Sequence, residues 1–176
     1  MPAGFLFFMR SAGFTRCYQC VSYFDLHMKP YEVKDDDLLI SDDKQLLDHA
    51  LIHEFLSLRS YWAKGIPLAT MNRSIKNSLC FGVYQAGKQI GFARVVTDSA
   101  TFAWLADVFI LEEQRGHGYS KQLVAAVRAH PQLQGLRRFL LGTADAHGLY
   151  RQFGFEPIKH IERFMEICPQ NPYNCA

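Results

Sequence analysis

Apolar and polar positions change rhythm several times along this chain, and each change marks an element. Tyr31 to Lys34 reads as a short first strand, followed by Asp35-Asp36-Asp37 as an acidic turn. Leu47, Leu51, Phe55, Leu58 and Trp62 then recur at helical spacing behind the capping residues Ser41-Asp42-Asp43, which predicts one amphipathic helix. Gly65-Ile66-Pro67 ends it, and Leu68 to Lys76 reads as a second, short helix. From there the period is two: Leu79, Phe81 and Val83 alternate with Cys80, Gly82 and Tyr84, Ala86-Gly87 turns the chain, and Gln89 to Thr97 returns as the partner of an antiparallel hairpin. Thr97-Asp98-Ser99-Ala100 turns again into an apolar run from Trp104 to Leu111. Tyr119, Leu123, Val124 and Val127 share one face of an amphipathic helix that His130-Pro131 stops. Leu136 to Leu141 fits a buried strand parallel to the preceding one, because a helix crosses between them. A helix over Ala146 to Phe153 closed by Gly154, a last strand over Phe164 to Ile167 and a loose tail from Pro169 to Ala176 complete the pattern.

Residues 1–27 differ from the rest, being apolar and aromatic with no regular period. They lack the charged start, apolar stretch and small-residue cleavage site of a secretory signal. The expectation is an N-terminal extension over 1–27, outside the native product if Met28 is the working start, and one domain over 28–176. A chain of 176 residues can bury a sizeable core. Its net charge of +2 provides no basic stripe, so nucleic acid is not an expected partner. No apolar run approaches the roughly 18 residues of a membrane span. Five scattered cysteines suit a reducing, cytoplasmic setting better than a disulfide framework. Cys17 and Cys20 form one C-x-x-C without a second ligand pair, His49 and His53 lack a third ligand, and Asp35-Asp36-Asp37 lacks the glycine spacing of a calcium loop; no metal site is expected.

The chemistry concentrates at Arg115-Gly116-His117-Gly118-Tyr119-Ser120, between a strand and a helix. Two glycines let the backbone turn tightly and let its N–H groups converge, and the helix adds unpaired amides and the positive end of its dipole. That suits a phosphate or pyrophosphate. The stretch lacks the Gly-Lys-Ser/Thr ending of a P-loop, and Lys121 stands where a dinucleotide fingerprint needs its third glycine. About 30 residues later comes Leu149-Tyr150-Arg151-Gln152-Phe153-Gly154-Phe155, a spacing that fits one β-α-β-α unit. Together, Arg-x-x-Gly-x-Ser and this second motif resemble the GCN5-related N-acetyltransferase (GNAT) family, over Tyr31 to Ile167.

The resemblance implies an α/β (α+β) fold with a mixed, mostly antiparallel sheet of about six or seven strands, about four flanking helices and a splayed parallel strand pair holding CoA. It implies acetyl-CoA as co-substrate, with its pyrophosphate on Arg115, Gly116, His117, Gly118, Tyr119, Ser120 and Lys121, and its pantetheine arm on the backbone of Val108, Phe109 and Ile110. Tyr150 takes the place of the tyrosine that protonates the departing thiolate. Asp107, one carboxylate in an apolar run, reads either as a general base or as an acceptor satisfied by a neighbour. Ser120 replaces the usual Gly or Ala, and Thr143 stands where many members carry an asparagine that contacts the CoA arm. Tyr61, Trp62, Arg73 and Asn77 are candidate acceptor contacts. No cysteine sits in a catalytic setting, so direct attack on the thioester in a ternary complex is expected over an acyl-enzyme. The acceptor is a small amine or a protein amino group, and a homodimer stays open. The competing classes are an acyl-CoA sensor without turnover and, less well founded, a zinc or redox protein built on Cys17 and Cys20.

Overall fold

The computed structural model describes residues 29–169 and 173, and the expectations for 1–27, including Cys17 and Cys20, lie outside those residues. Six strands form one sheet in simple chain order: β1 (Glu32–Asp35), β2 (Leu38–Ser41), β3 (Leu79–Gln85), β4 (Lys88–Thr97), β5 (Phe102–Ile110) and β6 (Arg138–Leu141). All neighbours are antiparallel except β5 and β6, which run parallel from Phe102↔Arg138 to Leu105↔Leu141. Four helices flank the sheet: α1 (His49–Glu54), α2 (Leu68–Lys76), α3 (Tyr119–Ala129) and α4 (His147–Arg151).

The anticipated hairpin forms as β3 and β4, its Ala86-Gly87 turn having φ +46° and +76°, the paired left-handed conformation of a tight two-residue connection. β2 is an addition to the expected elements: the acidic triplet is the tip of a β1–β2 hairpin, with Asp36 at φ +48°, and the chain returns to pair with β3. The single long helix expected through Trp62 is also corrected. After a 3-10 turn capped by Asp43, α1 starts on an Asp48 cap and passes into a π-helical turn over Phe55–Arg59. It ends where the Ser60 N–H donates to the Phe55 carbonyl, 3.0 Å away. The expected strand over Phe164 to Ile167 does not form; Met165 and Ile167 lie exposed.

The sheet buries both faces. Phe81, Val83, Ala93, Val95, Ala103 and Leu105 pack against Leu123, Val124 and Val127 of α3 and Tyr150 of α4. Cys80, Phe92 and Phe109 pack on the opposite side against Ile52, Phe55, Leu56, Met71 and Ile75. Each fully buried side chain of this size contributes roughly 1.5–3 kcal/mol. Strict alternation would put Leu105 and Phe109 on one face, yet they lie on opposite ones. A bulge between them resets the count.

Candidate active site

Opposite Ala93 alone on β4, β5 supplies two residues, Asp107 and Val108, since Phe92 pairs with Phe109 and Arg94 with Ala106. Asp107 absorbs the extra residue with a left-handed backbone, φ +54°, a conformation that aspartate tolerates better than most residues. Its Oδ2 accepts from Nε of Arg94 at 2.6 Å, and Nη1 of Arg94 donates to Oγ of Ser78 at 3.1 Å. The Asp107 and Arg94 side chains are only 10% and 16% exposed, so this is a pair drawn well out of water. Of the two readings of Asp107, the geometry supplies the satisfied acceptor. Beyond Leu105↔Leu141 β6 ends and the ladder stops, so Ala106–Ile110 run on without a strand partner on that side, leaving a gap.

The other wall of the gap is the turn before α3. Gly116 and Gly118 take φ +86° and +83°, and a Cβ added at either would meet nothing within 4 Å, so it is conformation rather than space that calls for glycine. No hydrogen bond among the described residues is donated by the N–H groups of residues 116–120, while those of Lys121 and Gln122 both donate to the Gly118 carbonyl. Five successive free amides at a helix N-terminus form an anion cradle. Arg115 is anchored beside it through Nε to the Ile110 carbonyl at 3.2 Å and a pair with Glu112 at 3.3 Å. A cavity of about 370 Å³ runs from this cradle past Val108–Ile110 to Tyr150. A second, of about 520 Å³, is lined by Trp104, Arg94, Asp107 and residues 142–146. The two share Tyr61, Trp62, Val108, Asp145, Ala146 and Tyr150 and so adjoin beside Tyr150.

Residues 76–157 match the Acetyltransferase (GNAT) domain family. An inferred acetyltransferase of Gibberella zeae is 31% identical over 144 residues, spanning 69% of this chain and 80% of that protein. The crystal structure of an inferred GNAT acetyltransferase from Xanthomonas campestris pv. campestris shares 54% identity with a TM-score of 0.76, over 78% of this chain and 96% of its own. The chain belongs to the GNAT family. A GNAT acetyltransferase of Elizabethkingia anophelis, solved with acetyl-CoA bound, has the same fold at 13% identity and a TM-score of 0.54, over 78% of this chain and 91% of its own. The open six-stranded sheet with one parallel pair is thus a GNAT sheet, and acetyl transfer is the family's reaction.

On this GNAT frame Val108, Phe109, Ile110, Arg115, Gly116, Gly118, Tyr119, Ser120 and Tyr150 all line the first cavity, and Asp107 lines the second. His117 and Lys121 are exposed and line neither; the imidazole stacks on Tyr119, ring centroids 5.5 Å apart. Arg73 and Asn77, expected as acceptor contacts, stand exposed at α2 away from both cavities, whereas Tyr61 and Trp62 are present in both. The Thr143 hydroxyl accepts at 3.0 Å from the N–H of Ala146, the N-cap residue of α4. Burial, aided by Tyr61 and Asp145, pushes the Tyr150 phenol up to about 12, and no described residue hydrogen-bonds its hydroxyl. Burial also raises the Cys80 thiol to about 11, which makes it a poor nucleophile.

Three contributors escaped the sequence reading. Phe55 stacks on Phe109 at 3.8 Å and backs the first cavity; Arg59 pairs with Glu54 and Glu112 at its rim; Asp145 stands where the cavities meet. Only the unusual π-helical turn, which no residue pattern announces, brings Phe55 and Arg59 there. A more voluminous hollow lies elsewhere, around His130 and Asp42. Both ring nitrogens are engaged there, Nε2 with Asp42 at 3.1 Å and Nδ1 accepting from the Gln132 N–H at 3.2 Å, so His130 ties loops together.

Proposed function

We propose that this protein transfers the acetyl group of acetyl-CoA to a primary amine by direct attack, with both substrates bound together. The observation that carries the reading is that two cavities adjoin beside Tyr150, one of them reaching five free amides and the other lined by exposed aromatic residues. Residues 116–120 hold the pyrophosphate with Arg115 beside them, and Ser120 adds a hydroxyl. The unpaired edge of Val108–Ile110 bonds the pantetheine arm, and one of its N–H groups faces the thioester oxygen as charge develops there. The attacking amine sheds its proton to water through the open acceptor mouth, and Asp107 serves as an anchor of the bulge rather than as the base. Tyr150 stays protonated at neutral pH and donates to the departing sulfur. A phenol at about 12 is a far weaker acid than a thiol at roughly 8.5, so the proton it yields is restored as the new amide loses its own.

The test is to incubate the purified protein with acetyl-CoA and a panel of amines, amino acids and peptides, following free thiol. Release that depends on one class of amine supports the enzyme. Silence across the panel together with tight acetyl-CoA binding by calorimetry favours a sensor, and absence of binding overturns the assignment of the 116–120 cradle.

A further inference from the structure

We infer, building on the acetyltransferase reading above, that the acceptor is an aliphatic amine carrying a second ammonium group, a diamine or polyamine, whose far cation rests against Trp104. The chain has two tryptophans, and both line the acceptor cavity. Trp62 and Trp104 stand 41% and 40% exposed, with Tyr61 exposed beside them and its ring edge-on to Trp62 at 4.9 Å. Large aromatic faces left in water at the mouth of a cavity are available to a ligand.

Charge decides which ligand. Among the described residues lining this cavity the only cation is Arg94, already committed to Asp107 and Ser78. Against it stand two carboxylates, Asp107 and Asp145, and Asp145 forms no ion pair with any described residue. The lining therefore carries one net negative charge. An acceptor bearing a carboxylate or phosphate meets no unengaged cation there. An aryl tail is also poorly served, because half-exposed indoles do not exclude the water whose loss would drive its burial. A cation over an indole face is still attracted at an exposed site, by about 0.5–1 kcal/mol for each ring. Trp104 belongs to the acceptor cavity alone, whereas Asp145 and Trp62 lie where the two cavities join. The reacting amine thus lies near Asp145 and Tyr150, and the second ammonium lies outward, toward Trp104.

The experiment compares kcat/KM for 1,4-diaminobutane, butylamine, 4-aminobutanoate and 2-phenylethylamine. The expectation is a preference of about two- to five-fold for the diamine over each of the others, retained in Trp104→Phe, which keeps a π face, and lost in Trp104→Leu. Equal rates for diamine and butylamine, or preference for the acid or the aryl amine, overturn the inference while leaving the acetyltransferase reading intact. A second readout does not depend on turnover. Because both tryptophans lie at the cavity, intrinsic fluorescence of the CoA-saturated protein should shift saturably with N,N,N′,N′-tetramethyl-1,4-diaminobutane, which cannot be acetylated, and not with butylamine at equal ionic strength. An unchanged spectrum overturns the cation site. A saturable shift without acetylation of any amine upholds the site and sinks the enzyme.

Discussion

Replacing Asp107 by asparagine removes one charge from a well-buried ion pair while keeping a side chain that accepts the left-handed backbone of the bulge. Arg94 would then face only neutral acceptors, the amide oxygen of the substituted side chain and Ser78 Oγ, with no counter-charge in a site where it is 16% exposed. Breaking a fully buried pair in this way costs about 3–5 kcal/mol. The remaining exposure and the Ser78 bond bring the expectation down to about 2–3 kcal/mol, a large share of a total that is typically about 5–15 kcal/mol. Urea unfolding at neutral pH should show a midpoint lower by about 1 M, given slopes of roughly 1–3 kcal/mol per molar. The double variant Arg94→Met with Asp107→Asn no longer buries a lone charge and should recover about half of the loss. Activity should follow the bulge: reduced in Asp107→Asn and partly restored in the double variant. A single variant as stable as the parent but more than about 100-fold slower, and no faster once Arg94 is also changed, would refute the anchoring role and make Asp107 the base.

Tyr150→Phe should lower turnover by about 100-fold, the lower end of what positioned proton donors contribute, with acetyl-CoA affinity by calorimetry changed less than about two-fold; unchanged turnover removes the phenol from the mechanism. Gly118→Ala forces a Cβ onto a backbone at φ +83°, a strain of about 1–2 kcal/mol, and should weaken acetyl-CoA binding on the order of ten-fold; an unaltered Kd means the free amides do not hold the pyrophosphate. Alkaline pH should unfold the protein. Burial raises both the Tyr150 phenol, to about 12, and the Tyr84 phenol, so between pH 10 and 12 only the unfolded chain releases those protons. Stability is then level below pH 10 and falls above it, by up to about 1.4 kcal/mol per pH unit and phenol, and the slope in urea midpoints should be shallower in Tyr84→Phe.

The elements that local pattern dictates were legible in advance. α2 begins and ends where the pattern places it, β3 and β4 follow from the period of two on either side of a turn, and β5 follows from an apolar run, since it packs side chains on both faces of the sheet. What failed depended on contacts distant in sequence. The apolar spacing of Leu47 to Trp62 continues past the point where the Ser60 hydroxyl bonds the Leu56 carbonyl and the backbone leaves the helix, so Trp62 goes to the cavity rather than to a helical face. Phe164 to Ile167 is apolar enough to read as a strand, but a strand needs a partner, and none of the described residues pairs with it. At the site, the glycine turn and Tyr150 were readable because their residue types are tied to particular backbone conformations and chemistry. The partner of Asp107 was not, because Arg94 lies 13 residues away and it is the bulge that sets their register.

The gap between β5 and β6 also bears on the mechanics of the protein. Where two strands are zipped together, prising them apart breaks a ladder of hydrogen bonds, each with a net contribution of about 0.5–1.5 kcal/mol. Past Leu105 and Leu141 that ladder does not exist, so the outer half of β5 can part further from the segment after β6 by shifting side chains alone. The rest of the sheet, fastened by four antiparallel ladders, stays put as it does so. Widening of the cleft there breaks no strand ladder, whereas separating any of the other neighbouring strands would.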